Sequence, residues 1–364
     1  MGVRQLADRQ PRVERPTGLD DEIQSLMAAK MTQIKVVGCG GAGNNTITRL
    51  MQIGITGAET IALNTDAMDL LYTDSNKKLV IGKELTKGLG AGANPNVGMD
   101  AAKESKDEIK KLLNGADMVF ITCGLGGGTG TGSAPVVADI SKKMGALTVG
   151  VVTLPFKMEG RQRMNNAREG LKNLDGIVDT LLVIPNDKLL EIVPDVSITT
   201  AFKVADEILV NAVKGMTELI TKPGLVNLDF ADVRAIMKEG GLAMIGTGES
   251  NSENKAFESV ERALNNPLME IDVNGATGAL INVIGGPEIT IREAQQIAET
   301  VSTKLSPEAK IIWGVQIDKA LSDSVRTMVV ITGVTSPKIF GKGKEWEKQS
   351  KKDIEKILGV EFLE

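Results

Sequence analysis

The sequence predicts an α/β fold with a parallel sheet, a long central helix and a second, smaller mixed α/β domain. Short apolar runs alternate with helical stretches through the first half, which is typical of parallel sheets covered on both faces. One uninterrupted helical pattern covers 200–221 and stops at Pro223 and Gly224. Strands and helices continue beyond it without a repeat of fixed period.

The first half of the chain supplies the predicted parallel sheet. Its strands are expected at 34–37, 60–63, 79–82, 118–122, 147–154 and 180–184. The helices between them are expected at 46–51, 97–113, 133–144 and 163–174. Parallel strands end at the same edge, where ligands bind in such sheets, so the loops that follow them should share one rim. Those loops are 38–45, 64–66, 124–132, 155–163 and 185–188.

The second half supplies the smaller domain. Helices are expected at 231–238, 254–264 and 291–304, and strands at 243–245, 279–284, 311–317 and 327–332. The predicted segments are therefore an N-terminal extension (1–31), a first domain (32–199), the central helix (200–224), a C-terminal α/β domain (225–335) and a charged tail (336–364).

Composition excludes several classes of chemistry. The chain has no histidine, which excludes Ser-His-Asp and Cys-His catalysis and His-ligated zinc. Its two cysteines indicate a reducing compartment and read as small buried residues. The net charge of −5 and ten aromatic residues argue against a nucleic-acid partner. Neither a membrane span nor a signal peptide is expected.

The first glycine-rich loop, GCGGAG at 38–43, lies between a predicted strand and a predicted helix. Bare backbone at a helix N-terminus binds phosphate, because its N–H groups point at the anion. Asp66 follows at about the spacing of a dinucleotide site. This Rossmann-like pattern leaves three interpretations open. The protein is a nicotinamide (NAD)-dependent oxidoreductase, it is another nucleotide-binding protein, or the loop is a tight strand–helix turn with no ligand.

The second glycine-rich loop, GLGGGTGTG at 124–132, changes that balance. Six of its nine residues are glycine, far more than a turn requires, and ordering them carries a large entropy cost. Backbone amides that wrap an anion, with two threonine hydroxyls as further donors, would explain the composition. Two phosphate-binding loops on one rim favour a triphosphate. No GxxxxGK[ST] sequence is present, so a P-loop is excluded.

The segment GGGTGTG at 126–132 resembles the signature of the tubulin/FtsZ family. Further segments resemble its FtsZ branch, and the likeness runs from about Ile34 to Gly333. They are NTD (64–66), TKGLGAGANP (86–95), PF (155–156), PNDKLL (185–190) and NLDFAD (227–232). The resemblance implies a tubulin/FtsZ-like fold and a cytoplasmic GTPase, with GTP or GDP as ligand and Mg²⁺ as metal. It further implies that 32–199 is the GTP-binding domain and that subunits polymerise head to tail into a cell-division ring at midcell.

The resemblance also implies nucleotide contacts. The residues matching the family's phosphate contacts are Gly41, Ala42, Gly43, Asn44, Asn45, Ala91, Gly92, Ala93, Gly128, Thr129 and Gly130. Glu159 and Arg163 match the pair that contacts ribose, although alone they read as an exposed i,i+4 ion pair.

The base contacts follow in the same way. Phe202 matches the residue that stacks on the base, and Asp206, one helical turn further, matches the acid that reads guanine. Guanine offers two adjacent N–H donors to a carboxylate, whereas adenine presents an acceptor there. Asn45 and Asn186 would help to read the base.

Asp229 and Asp232, with Asn227, match the family's catalytic loop, which enters the nucleotide site of the next subunit and orients water on the γ-phosphate. A second interpretation is local: an Asp at a helix start with an acid three residues later is a capping arrangement. The two are compatible. Asp66 is a possible water-mediated contact to Mg²⁺.

The tail departs from the common bacterial pattern of a long linker and a proline-containing adaptor peptide, and looks more like that of an archaeal member. We expect it to contact division-ring and membrane-adaptor proteins, with no direct membrane insertion. Two alternatives remain beside a filament-forming GTPase. One is the NAD-dependent oxidoreductase built on 38–43, and the other is a scaffold that binds GTP without hydrolysing it.

Overall fold

A computed structural model describes residues 32–188, 198–222, 224–226, 228–265 and 276–334, and ten strands lie within these ranges. They are β1 (Ile34–Cys39), β2 (Ala58–Asn64), β3 (Lys77–Val80), β4 (Met118–Gly124), β5 (Leu147–Leu154), β6 (Thr180–Pro185), β7 (Gly241–Ser250), β8 (Gly278–Gly285), β9 (Lys310–Ile317) and β10 (Val325–Thr332). All ten belong to a single sheet in the order β3-β2-β1-β4-β5-β6-β7-β10-β8-β9.

The helices alternate with these strands along most of the chain. They are α1 (Gly40–Ile53), α2 (Ala67–Tyr72), α3 (Lys83–Thr86), α4 (Pro95–Glu104), α5 (Lys106–Leu113), α6 (Thr129–Lys143), α7 (Arg161–Asp175), α8 (Ile198–Thr221), α9 (Phe230–Met237), α10 (Lys255–Leu264) and α11 (Ile291–Lys304). Two short 3₁₀ turns, Lys157–Glu159 and Lys319–Leu321, complete the described elements.

The sheet is mostly parallel. In the order of the sheet, each strand from β3 to β7, including β1 and β2, is parallel to its neighbours within that run. β10 is antiparallel to both of its neighbours, β7 and β8. The predicted α/β fold class is confirmed. Because β6 and β7 are hydrogen-bonded, the sheet continues from the first half of the chain into the second.

Both faces of the sheet are buried, which explains why its strands are continuously apolar. Side chains alternate between faces along a strand, so Val36 and Val37 of β1 enter different apolar clusters. Val37 packs in the cluster that includes α4, α6, α7, α10 and α11. Val36 packs in the cluster that includes α1, α8 and α9.

Helix α8 runs from one edge of the parallel strands to the other. Phe202, near its start, lines a cavity together with residues that follow β1, β4, β5 and β6. Thr221, its last residue, donates a hydrogen bond from Oγ1 to the carbonyl oxygen of Thr56, just before β2 begins. The helix has 24 residues, and at 1.5 Å per residue it is about 36 Å long.

Three predicted helices are wrong in their bounds. The single helix expected at 97–113 is two helices, α4 and α5, separated at Ser105. The helices expected from 46 and 133 begin earlier, at Gly40 and Thr129, so much of each glycine-rich loop is the first turn of a helix. Among the described helices, none is both long and apolar enough to cross a membrane.

Candidate nucleotide-binding site

Helices α1 and α6 both begin directly beyond the C-terminal end of a parallel strand. The first turn of α1 is formed by residues 40–43, and that of α6 by residues 129–132. The first backbone N–H groups of a helix have no partner within the helix, and the helix dipole favours negative charge at this end. Two such ends at one edge of the sheet form a site for anionic groups.

Glycine lets the loops touch backbone to backbone. A Cβ on Gly40 would lie 2.8 Å from the backbone nitrogen of Gly130, and one on Gly128 would lie 2.8 Å from that of Asn94. Gly40 also has a φ of +71°, a conformation that L side chains rarely adopt. The glycines therefore bring the loops that begin at Gly40, Ala91 and Gly128 together, which a larger residue at these positions would prevent.

A cavity of about 280 Å³ opens where these loops meet. It brings together most of the residues predicted to bind nucleotide. Those lining it are Gly41, Ala42, Gly128, Thr129, Gly130, Glu159, Arg163, Asn186, Phe202 and Asp206. They come from segments spread over more than 160 residues of the chain, so only the fold makes them neighbours.

Phe202 and Asp206 occupy the α8 side of the cavity. The ring of Phe202 makes an edge-to-face contact with buried Phe156, with centroids 5.2 Å apart, and 43% of Phe202 remains exposed. This contact orients a ring that a planar base can stack on. Burial raises the pKa of the Asp206 carboxyl to about 6, and the positive charge of Arg49 partly opposes the rise. At pH 7 the carboxylate still predominates and can accept two N–H donors.

Two asparagines near the site have buried side-chain atoms without a hydrogen-bond partner among the described residues. Oδ1 of Asn186, which lines the cavity, is buried without a hydrogen bond. Both polar side-chain atoms of Asn44 on α1 are buried and unpaired. Buried polar atoms are nearly always satisfied, so an unpaired amide oxygen in a cavity wall is what a missing ligand donor would leave.

Glu159 and Arg163 form the ion pair expected from their spacing, and both line the cavity. Glu159 Oε1 also accepts a hydrogen bond from the backbone N–H of Phe156 at 2.9 Å, which fixes the turn before α7. The local and the functional interpretations of this pair are therefore compatible: the same ion pair holds the turn and presents polar groups to the cavity.

The remaining predicted nucleotide contacts do not line the cavity. Gly43 packs α1 against β4, where a Cβ would lie 2.5 Å from the carbonyl oxygen of Thr122. On α1, Asn44 is buried and Asn45 is exposed. The loop of Ala91, Gly92 and Ala93 lies behind Gly128: a Cβ on Gly128 would be 2.9 Å from the Cβ of Ala91.

Asp66 follows the C-terminal end of β2, in the turn between β2 and α2. Its Oδ1 caps α2 by accepting hydrogen bonds from the backbone N–H groups of Met68 and Asp69. Its Oδ2 is not used by the cap. Among the described residues, no group of three Asp, Glu, His or Cys side chains could hold a metal by itself. Mg²⁺ commonly keeps waters and binds phosphate oxygens with one or two carboxylates, so the free oxygen of Asp66 fits a water-mediated contact.

The predicted catalytic acids lie elsewhere. Asp229 is the N-cap of α9: its Oδ1 accepts from the backbone N–H of Asp232 at 2.8 Å, and Asp232 Oδ2 accepts from the backbone N–H of Asp229 at 3.3 Å. Asp229 is exposed, and Asp232 is half-buried. Arg234 on the same helix donates to the carbonyl oxygen of Gly145, which precedes β5. The acids thus belong to the edge where the parallel strands begin, away from the cavity. Asn227 lies outside the described residues.

Two residues that were not among the predicted contacts, Thr65 and Asn166, hold the site together. Thr65 Oγ1 lies 2.6 Å from Thr129 Oγ1, which ties the β2–α2 turn to the start of α6. Asn166 hydrogen-bonds to two loops at once. Thr65 belongs to the NTD segment (64–66) that resembles the FtsZ branch, so the sequence offered a signal for it. No local sequence pattern marks Asn166.

The comparisons with known proteins agree with this geometry. Residues 33–194 match the model of the tubulin/FtsZ family GTPase domain, and residues 241–335 match that of the FtsZ family C-terminal domain. The chain is 61% identical over 327 residues to cell division protein FtsZ 1 of Thermococcus kodakarensis, covering 90% of this chain and 87% of the relative. It is 62% identical over 317 residues to cell division protein FtsZ 1 of Methanocaldococcus jannaschii, covering 87% of each.

Solved structures show the same likeness. A structure described as an empty FtsZ dimer from M. jannaschii matches with a TM-score of 0.82 and 61% identity, covering 88% of this chain and 92% of that one. The GDP-bound monomer of CetZ1 from Haloferax volcanii shares the fold at 22% identity, with a TM-score of 0.75, covering 87% of this chain and all of that one. The resemblance inferred from the sequence motifs is confirmed, and the chain belongs to the FtsZ family of tubulin-like GTPases.

Proposed function

We propose that this GTPase binds GTP in the cavity beside α8 and hydrolyses it only between two subunits of a head-to-tail filament. One observation carries the proposal: the cavity lies near the start of α8, whereas Asp229 and Asp232 follow its other end. From Phe202 to Thr221 the helix advances about 28 Å at 1.5 Å per residue. Within one subunit, the cavity and the two carboxylates are therefore too far apart for any side chain to span the distance.

In the proposed complex, the loops of 41–45, 91–93 and 128–130 surround the phosphates, with backbone N–H groups and the Thr129 hydroxyl as donors. Glu159 and Arg163 contact the ribose, Phe202 stacks on the base, and Asp206 with Asn186 reads its edge. The unpaired Oδ1 of Asn186 and the elevated pKa of Asp206 support this placement, since both change favourably when donors arrive. The same two features favour guanine over adenine.

The proposed chemistry belongs to the carboxylates of the neighbouring subunit. Asp229 and Asp232 of one subunit orient a water molecule toward the γ-phosphate held by the next, with Asn227 beside them, and a carboxylate accepts the water proton. Histidine cannot do this, because the chain contains none. Bound Mg²⁺ would neutralise phosphate charge, with Asp66 contacting it through water.

Exposed apolar side chains support head-to-tail association. Beside the cavity edge, α2, α3 and the loop after α3 expose Met68, Leu71, Tyr72, Leu85 and Leu89, each more than half exposed. Next to the catalytic loop, Leu225 is 72% exposed and Val226 is 39% exposed. Two different apolar surfaces near two different ends suit a heterologous contact, which repeats without closing and produces a filament.

We propose the cell-division ring as the place where these filaments act. The curated relatives are named cell division proteins, and the related M. jannaschii structure is described as a dimer. On this proposal, 32–199 is the GTP-binding domain, 200–224 the connecting helix and 225–335 the domain that carries the contact to the next pocket. The tail, 336–364, would recruit adaptor proteins from the cytoplasm to midcell.

Turnover at two protein concentrations tests the proposal, with GTP, ATP and NADH offered separately. We expect GTP turnover per subunit to rise steeply above a threshold concentration, with little ATP turnover and no NADH oxidation. GTP turnover per subunit that is independent of concentration would refute the shared site. GTP-driven assembly without phosphate release would instead favour the scaffold interpretation. The oxidoreductase interpretation has no support from the family to which the chain belongs.

A further inference from the structure

Asn166 connects a loop that lines the cavity with a second loop that packs against it. It lies on α7, three residues after Arg163, and is 8% exposed. Its Nδ2 donates to the carbonyl oxygen of Ala93 at 3.2 Å and to that of Gly126 at 3.3 Å. Ala93 belongs to the loop after α3, and Gly126 to the loop after β4, so one side chain joins loops that are 33 residues apart along the chain.

Both loops need outside support at these residues. Ala93 has a φ of +56°, which is unfavourable for a residue with a Cβ, and Gly126 has a φ of +109°. The backbone N–H of Gly126 donates to Thr131 Oγ1 at 2.9 Å. A donor on each carbonyl completes the hydrogen bonding of strained backbone and favours one loop conformation over others.

The amide of Asn166 is held in one orientation. Nε2 of Gln162, one turn earlier on α7, donates to Asn166 Oδ1 at 3.1 Å. Two carbonyl acceptors on one side and a donor on the other require an NH₂ group facing the loops. A carboxylate in the same place would set oxygen against oxygen, so Asn166→Asp changes the interaction with almost no change in size.

We infer that Asn166 is a positioning residue for the triphosphate: it fixes the loops of 91–93 and 124–128 so that Gly128 presents its backbone to phosphate. Gly128 sits where the two loops meet, since a Cβ there would lie 2.8 Å from the nitrogen of Asn94. Asn166 itself touches no nucleotide in this arrangement. The inference rests on the proposed placement of GTP in the cavity and adds the residue that organises its phosphate end.

Binding of GTP and GMP to Asn166→Asp tests the inference, with Asn165→Asp as the matched control. Asn165 is the neighbouring residue, carries the same side chain and is exposed on α7. We expect Asn166→Asp to weaken GTP binding about tenfold, the equivalent of one to two hydrogen bonds. GMP binding should change less than twofold, because GMP lacks the outer phosphates. Asn165→Asp should bind both nucleotides as the parent does.

Phe202→Ala, measured alongside, separates this inference from the proposed site. Loss of both GTP and GMP binding in Phe202→Ala with unchanged GTP binding in Asn166→Asp would overturn the positioning role alone. Unchanged binding in Phe202→Ala would overturn the placement of nucleotide and the inference with it. Equal losses of GTP and GMP in Asn166→Asp would point to general destabilisation and also overturn it. If Asn166→Asp does not fold, Asn166→Ala decides between the same outcomes without adding a charge.

Discussion

In the proposed complex Asp206 must be charged to accept two guanine N–H groups, yet burial raises its pKa to about 6. Arg49, whose positive charge favours the carboxylate form, is itself paired with Glu207. The carboxylate is thus half-protonated at a mildly acidic pH, at which ordinary aspartates stay ionised. In the free protein, protonation relieves the burial penalty, so this residue's unfavourable contribution to stability diminishes as the pH falls through 6.

Nucleotide selectivity should therefore depend on pH. Between pH 7.5 and pH 5, we expect GTP binding to weaken about tenfold through protonation of Asp206. ATP carries the same triphosphate, so its binding controls for titration of the phosphates. The affinity for ATP should change less than the affinity for GTP. In Asp206→Asn, the difference between the two nucleotides should be small at every pH. Calorimetric titrations across this range measure it, and a parallel pH dependence for GTP and ATP would exclude Asp206 as the reader of the base.

Gly128 tests the phosphate loops without touching the base. A Cβ at Gly128 would lie 2.8 Å from a backbone nitrogen and 2.9 Å from the Cβ of Ala91, so Gly128→Ala must push the loops apart. We expect GTP affinity to fall at least tenfold, because the amides no longer converge on the phosphates. Gly176→Ala is the control: its Cβ would meet its nearest atom at 3.9 Å. Fluorescent-nucleotide titration distinguishes them, and equal losses would contradict the assignment.

At the scale of elements, the first turn of α9 carries a cap, and we propose that the same turn is catalytic. Asp229 and Asp232 form a capping box that satisfies the first N–H groups of the helix. The cap explains why these acids stand three residues apart. A substitution that preserves the cap and removes the carboxylate separates the two roles.

Asp229→Ser is that substitution, since serine is also a good N-cap. We expect its thermal stability and GTP binding to match the parent's, while GTP turnover falls by a factor of about one hundred or more. Thr290→Ala provides the converse, because Thr290 and Glu293 form a capping box on α11, remote from the cavity. It should lose about 1 kcal/mol of stability and keep its turnover. Normal turnover by Asp229→Ser would assign Asp229 to capping alone.

Most strands and helices could be predicted from the sequence, but one break in a helix could not. Apolar runs and helical periodicity predicted the strands and most helices, because those patterns record burial on one or both faces. The break at Ser105 could not be predicted from them. Ser105 Oγ accepts a hydrogen bond from the backbone N–H of Gly82, a contact across 23 residues. Asn166 was missed for the same reason: its partners are backbone carbonyls that only the fold brings near.

At the scale of the whole molecule, the two halves of the proposed site can be removed independently. Asp232→Ala keeps its cavity, and Thr129→Trp keeps its carboxylates while its cavity is blocked. Each alone should release phosphate very slowly. In an equal mixture, about one quarter of head-to-tail contacts pair an intact cavity with intact carboxylates. We expect recovery of a corresponding part of parental activity in a phosphate-release assay. No recovery in co-assembled mixtures would place both halves within one subunit.

The length of α8 also implies, under the proposed arrangement, that each bound nucleotide records the age of its contact. A subunit that joined a filament with its cavity outermost would carry GTP that no neighbour's carboxylates reach. Hydrolysis would start only when the next subunit arrives, so the state of each nucleotide would mark how long ago that neighbour arrived. Along a growing filament, the oldest contacts would hold GDP and the newest would hold GTP. The order of nucleotide states along the filament would then follow the direction of growth.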